Sequence, residues 1–434
     1  MRYRSLRGPV SVQLEITEAC NLDCVHCYNH WRDKSQSTSL HHLDEIGLKT
    51  IIDSITKVGA SSVTLTGGEP LLFPDLLSTA ITRLIANGIY VGLNTNLTLM
   101  TEKTAIDLKN AGLNHILVSV LCSNEKIHDE LTNREGSWRK TMEGIKIARK
   151  HGFRVSSNMV LVKKNKPYLR QTAELMKELG VTSFCATKAS PALNSRNFEE
   201  LILSREELKE SLDELIKIKS KLGIKVDVLE CYPLCLIGDV TKYSVFARHS
   251  CTAGVTTCTI GPSGGVRPCS HADMVYGNVF KESLSSIWEK MEDWRSGQYI
   301  PDECHKCQFV ERCSGGCRME AKYKGNIKGR DSFMTSSEDV IPGHEAKRER
   351  TLDISSSFQI NRPLRIREEE FGAMISVSGN ALLVNNDAAV LLKELDRIGE
   401  FTASYINSKY GLEVGPVLDF LARLLESGII RIIK

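Results

Sequence analysis

No apolar run in this 434-residue chain is long enough to cross a bilayer, and no apolar segment follows Met1-Arg2-Tyr3-Arg4. Both absences argue against a membrane or exported protein, and the expected location is the cytoplasm. Charge of one sign is equally scarce: 56 basic residues against 53 acidic leave a net +3. That balance argues neither for nor against a polyanionic partner, and runs such as Lys163-Lys164-Asn165-Lys166 read as solvated loop charge. No cysteine occurs after Cys317, although the chain has fourteen. In a reducing cytosol so many thiols point to metal ligation rather than disulfides. Hydrophobic residues at 41% and charged residues at 25% are those of an ordinary globular protein, with core enough for roughly two to four domains.

The most informative stretch is Cys20-Asn21-Leu22-Asp23-Cys24-Val25-His26-Cys27-Tyr28, directly after the alternating run Val12 to Thr17. Three thiolates on one short loop hold three irons of a four-iron cluster and leave the fourth without a protein ligand. A cluster that only carries electrons is closed by a further cysteine. Zinc reaches four ligands with two separated pairs, and here only three stand together.

On these residues the chain resembles the radical S-adenosylmethionine (radical SAM) enzymes. The resemblance implies a [4Fe-4S] cluster ligated by Cys20, Cys24 and Cys27, with Tyr28 as the aromatic residue that follows. It implies S-adenosylmethionine on the open iron, cleaved to a 5′-deoxyadenosyl radical that removes a substrate hydrogen.

After the cysteine loop, strands and helices alternate. Strands are expected at Val12 to Thr17, Ser62 to Thr66, Ile89 to Thr95, His115 to Val120, Phe153 to Leu161 and Thr182 to Thr187, joined by helices. Such alternation implies an α/β fold with a parallel sheet. Six strands fall short of an eightfold barrel, and the resemblance implies a partial (β/α)6 TIM-like barrel with its site at the carboxyl ends of the strands.

Thr66-Gly67-Gly68-Glu69-Pro70 follows the second strand. Its glycines allow close approach to the backbone, and the family places here the segment that holds the methionyl amino group. By the same resemblance Asn96 lies near the ribose, Ser119 helps hold the carboxylate, and Arg134 supplies an arginine to it. Leu121 and Cys122 stand where the family often has Asp-Gly. A capping box from Ser204 to Glu207 opens a long helix to Gly223, and the strand Ile224 to Leu229 leads into Cys231-Tyr232-Pro233-Leu234-Cys235. Cys231 and Cys235 read as a hydrogen-atom donor, a substrate contact or ordinary buried thiols.

Seven cysteines then follow as Cys251, Cys258, Gly264-x4-Cys269 and Cys304-x2-Cys307-x5-Cys313-x3-Cys317. This resembles the SPASM extension, named for peptide and sulfatase maturation, which implies one or two auxiliary iron–sulfur clusters. Carried over, Cys251, Cys258, Cys269 and Cys317 close the first, and Cys304, Cys307 and Cys313 hold the second. The family's last cysteine is missing, so Asp331 or an iron left open is expected at that position, ahead of a cluster that does not assemble.

From about Ser357 the chain reads as three short strands (Phe358 to Arg367, Ala373 to Val377, Ala381 to Val384), three helices and a closing strand, a small winged-helix-like α+β domain. A DNA reader shows a basic recognition helix, whereas the third helix carries Asp419, Arg423 and Glu426. The segment Asn380 to Ala389 resembles the recognition element of ribosomally synthesised, post-translationally modified peptides (RiPPs), first known from pyrroloquinoline quinone biosynthesis. That element binds a leader peptide as an added strand.

The expected division is 1–240 (barrel), 241–350 (cysteine-rich domain and linker) and 351–434 (peptide-binding domain). The resemblance implies an enzyme that modifies a precursor peptide by oxidative carbon–sulfur or carbon–carbon crosslinking, with an electron donor such as flavodoxin or ferredoxin and neither nucleic acid nor membrane as partner. Rival readings are a peptide epimerase, a sulfatase-maturase-like oxidation, and a non-catalytic iron–sulfur carrier or peptide-binding scaffold.

Overall fold

A computed structural model describes residues 3–32, 40–191, 198–342 and 352–433. The expected boundary at 350/351 lies outside the described residues. Seven parallel strands follow in chain order: β1 (Ser11–Thr17), β2 (Ser62–Gly67), β3 (Tyr90–Thr95), β4 (His115–Ser119), β5 (Arg154–Leu161), β6 (Ser183–Lys188) and β7 (Lys225–Asp227). Helices α1 (Glu45–Lys57), α2 (Pro74–Ala86), α3 (Glu102–Asn110), α4 (Glu125–Thr132), α5 (Ser137–Lys150) and α6 (Leu169–Glu178) return the chain between them. Each helix is amphipathic and turns its apolar stripe to the sheet. In α1, Leu48, Ile51, Ile52 and Ile55 are buried, and Asp44 caps the helix by accepting from the Gly47 amide at 2.7 Å.

The cysteine-rich segment extends the same sheet. Strand β8 (Thr257–Ile260) runs parallel to β1 on its open side, with Val12 opposite Cys258, and β9 (Gly265–Arg267) and β10 (Gly277–Asn278) follow antiparallel. The result is one ten-stranded sheet in the order β10-β9-β8-β1-β2-β3-β4-β5-β6-β7. A buried ion pair between Glu15 on β1 and Arg267 on β9 ties the two parts together. Arg267 also donates to the carbonyls of Ala272 (2.9 Å) and Ser270 (3.3 Å), so its charge is satisfied on several sides.

The C-terminal module has β11 (Ser357–Ile360), β12 (Arg365–Glu369), β13 (Gly372–Val377), β14 (Asn380–Val384), β15 (Glu400–Thr402) and β16 (Ile430–Ile432), with helices Asn386–Ile398, Ala403–Tyr410 and Val414–Glu426. The single strand expected over Phe358 to Arg367 is two. Pro363 has no N–H to give a ladder, and β11 pairs with β15 and β16 while β12 pairs with β13. A separate apolar core, including Phe358, Ile375, Leu392 and Leu421, holds the module together.

Its contact with the barrel is polar and specific. Arg365 Nη1 donates to Ala60 O (2.6 Å); Arg367 donates to Gly8 O (3.0 Å), Pro9 O (2.8 Å) and Val58 O (3.1 Å). Glu369 pairs with Arg367 (2.7 Å) and accepts from the Arg7 amide (2.8 Å). The barrel atoms that take part all precede β1 or β2, and Gly379 lies against Tyr90 at the start of β3. The module therefore covers the amino ends of these strands. Among the described residues no helix is long and apolar enough to cross a membrane.

Arg367→Ala is expected to destabilise the protein by about 3 kcal/mol, because it removes the counter-charge of Glu369 and the guanidinium donor of three backbone carbonyls. Urea denaturation measures this, and Arg367→Lys recovers only part, since an ammonium lacks the guanidinium fork.

Candidate active site

The turn after β2 lies directly on the backbone that leads into the Cys20 loop. Gly68 N donates to Thr17 O (2.7 Å) and Glu69 N to Ala19 O (2.8 Å). A Cβ on Gly68 would stand 2.0 Å from Ala19 O, and one on Gly67 (φ +124°) 2.4 Å from Thr17 O. Only glycine permits this approach. The buried Glu69 carboxylate accepts from Thr95 Oγ1 (2.6 Å), Asn96 N (2.8 Å) and Leu71 N (2.9 Å), joining the ends of β2 and β3. Burial pushes its pKa up while those hydrogen bonds oppose the rise. The Asn96 side chain is engaged locally, donating to Asn21 Oδ1 (3.0 Å) and accepting from Thr98 N (2.9 Å).

These elements enclose a cavity of ≈ 400 Å³. Cys20, Cys24, Cys27, Tyr28, Gly67, Gly68, Glu69, Asn96 and Ser119 all line it. Arg134 does not. It is exposed in the turn after α4, where Asp129 accepts from Gly136 N (2.7 Å), Ser137 Oγ (2.8 Å) and Trp138 N (2.8 Å) and so shapes the turn without it.

His26 is a cavity residue that sequence reasoning passed over; its place between Cys24 and Cys27 was the available signal. Burial lowers its pKa to about 4, and its buried Nδ1 has no hydrogen-bond partner among the described residues. Three thiols on one loop, a glycine-walled cleft and an unpaired ring nitrogen fit a cluster with a polar ligand beside it. When bound, S-adenosylmethionine on such a cluster supplies a radical that removes hydrogen from substrate. The chain itself fixes the loop and excludes water.

The far wall holds a second cluster of polar groups that the sequence did not announce. Lys188, at the end of β6, is 1% exposed and pairs with Glu320 (3.0 Å) and Glu230 (3.3 Å). Burial opposes its charge, but the two carboxylates hold it protonated, well above the usual lysine range. Glu230 in turn accepts from Ser190 Oγ (2.6 Å), and Tyr232 Oη accepts from Lys188 N (3.1 Å).

Cys251, Cys269 and Cys317 line this same cavity. Cys258 does not join them. It sits on β8 opposite Val12, fully buried in the apolar core, because alternation along that strand turns it inward. Cys304, Cys307 and Cys313 line a second cavity of ≈ 380 Å³. Asp331 is not part of that lining. Its buried carboxylate accepts from Cys317 N (2.8 Å) and Phe333 N (2.8 Å), so it holds the chain at Cys317 instead. All fourteen cysteines stand outside disulfides. Among the described residues no three His, Cys, Asp or Glu side chains gather closely enough for a single metal ion.

The family model described as the Radical SAM superfamily matches residues 14–176, and that of the SPASM iron–sulfur cluster-binding domain matches residues 251–308. The chain is a radical SAM enzyme, with a [4Fe-4S] cluster and S-adenosylmethionine as cofactors and auxiliary iron–sulfur clusters in its SPASM region. Among named proteins it is similar to the AdoMet-dependent heme synthase of Methanosarcina barkeri, 28% identical over 72% of this chain and 92% of that one. It is also similar to the PqqA peptide cyclase of Gluconobacter oxydans, 26% identical over 76% and 91%. In fold it resembles Streptococcus suis SuiB bound to precursor peptide SuiA, with TM-score 0.62 and 17% identity over 75% of each chain. The structure of anSMEcpe with bound AdoMet is alike at TM-score 0.61 and 16% identity, over 75% of this chain and 94% of that one.

Gly68→Ala is expected to cost about 2 kcal/mol through overpacking and to slow 5′-deoxyadenosine formation at least tenfold by displacing the Cys20 loop, read by chromatography of the reduced, reconstituted protein. Lys188→Met is expected to lower stability by about 3–5 kcal/mol, since two carboxylates lose their counter-charge; thermal and urea unfolding measure it.

Proposed function

We propose that this chain is a peptide maturase, which binds the leader of a ribosomally made precursor on its C-terminal module and abstracts hydrogen from the core segment in the barrel cavity. The observation that carries this reading is the edge strand β14. It closes on β13 through Ser378 (φ +49°) and Gly379 (φ +85°), with Val377 opposite Asn380. In such a two-residue hairpin the closing pair is hydrogen-bonded, so the backbone groups of Ala381 and Leu383 point away from β13. They form a template for an added strand, whose ladder supplies affinity while side-chain pockets supply choice. The similarity to a peptide cyclase and to a peptide-bound fold supports the same reading. Auxiliary clusters suit a net oxidation, and a carbon–sulfur or carbon–carbon crosslink is the favoured product. Cys20, Cys24 and Cys27 are the proposed ligands of the radical SAM cluster, with Gly67, Gly68 and Ser119 nearest the bound S-adenosylmethionine.

The module covers the amino ends of the strands, whereas the cavity is lined from their carboxyl ends. A bound peptide must pass the height of the barrel, about 23 Å for seven-residue strands, which takes at least about seven extended residues. Recognition segment and modified residue are therefore separated by about seven residues or more.

Co-expression with a short peptide encoded beside this gene tests the proposal. Loss of a hydrogen pair, seen by mass spectrometry, is the expected outcome. An unchanged mass with inverted stereochemistry would mean epimerisation, and consumption of a tetrapyrrole with no peptide changed would overturn the proposal in favour of heme-synthase-like chemistry. Leu383→Pro, which removes an outward N–H without touching the β13 ladder, is expected to weaken peptide binding at least tenfold while peptide-free S-adenosylmethionine cleavage is unchanged. Shortening the spacer below about seven residues is expected to abolish modification without loss of binding.

A further inference from the structure

With Cys258 in the apolar core and Asp331 turned to the backbone of Cys317, the cysteine-rich region holds two incomplete sets of three thiols. Cys251, Cys269 and Cys317 form one, and Cys304, Cys307 and Cys313 the other. A four-iron cluster with no substrate or ligand on it takes four cysteines, so each set lacks one.

Two thiols from outside the region stand at these cavities, on the five-residue stretch Cys231 to Cys235 that follows β7 after three residues. The Cys231 thiol faces the first cavity, which Cys251 and Cys317 also line, and interacts electrostatically with both. Cys235 faces the second cavity beside Cys304, Cys307 and Cys313. Between them, Tyr232 is anchored by its hydroxyl at Lys188 N (3.1 Å), Pro233 is extended (φ −56°, ψ 131°), and Leu234 opens a short helix, Leu234–Ile237. That change from extended to helical backbone sends the two sulfurs into different cavities. The surrounding amides are already directed at sulfur: Leu234 N donates to Cys313 Sγ (3.3 Å) and Thr335 N to Cys235 Sγ (3.3 Å). Amide donors of this kind stabilise thiolates that hold iron.

We propose that Cys231 and Cys235 each donate the fourth thiolate to one auxiliary cluster, giving Cys231, Cys251, Cys269 and Cys317 at the first and Cys235, Cys304, Cys307 and Cys313 at the second. Both clusters are then fully ligated by cysteine, and neither Cys258 nor Asp331 binds iron. The inference rests on the SPASM class alone; a chain that modified no peptide would still carry these ligands.

The test measures iron and acid-labile sulfide per chain, with low-temperature EPR of the reduced protein, after anaerobic reconstitution of the full chain. Wild type is expected to hold roughly twelve irons, four for each of three cubane clusters. Cys231→Ala and Cys235→Ala are each expected to lose between about one and four irons and to alter the signal of one cluster only. Cys258→Ala is expected to keep the wild-type iron content and spectrum. Should an alanine variant fail to fold, Cys231→Ser and Cys235→Ser keep an oxygen in the same place and are expected to shift the g values of one cluster. Wild-type iron and spectrum in the Cys235 or Cys231 variants, or loss of a cluster in Cys258→Ala, would overturn the assignment.

Discussion

The close approach of two glycines to the backbone of Thr17 and Ala19 is the constraint on which the site depends. It fixes the turn after β2 against the segment entering the Cys20 loop, and the Glu69 carboxylate locks that turn to the end of β3. Backbone atoms rather than long side chains set the position of the three thiols. A loop held in this way has little freedom to collapse around its own cysteines, which leaves the cavity beside it open for a ligand.

Much of the barrel was legible because its helices repeat at 3.6 residues and its strands are short, buried and separated by glycine stops. The first seven strands fall within a residue or two of their expected spans. The junction of barrel and cysteine-rich segment was not legible. Strand β8 has only four residues, Thr257–Ile260, and belongs to the sheet because β1 offers an open edge, a relation between distant segments that local pattern does not encode. The same pairing explains Cys258: sequence spacing groups it with its neighbours, while strand alternation turns it into the core.

The polar wall of the cavity was hidden for a similar reason. Lys188, Glu230 and Glu320 are scattered over more than a hundred positions and look like solvated charges until the fold brings them together. A buried lysine between two carboxylates is an expensive arrangement that apolar residues would replace at little cost in stability. Its presence beside the cavity marks a demand for fixed charge there. The C-terminal module is different again. Its elements were readable, but its seating at the amino ends of the strands rests on Arg365 and Arg367, two residues of an otherwise unremarkable strand.

The pentapeptide from Cys231 to Cys235 has a consequence for how the molecule comes together. One turn lines both cavities, and its position is tied to the end of β6 where Tyr232 meets Lys188. The cysteine-rich region is then no appended cassette that matures on its own. It is finished by the barrel, and a single insertion within those five residues would unmake both chambers in one stroke.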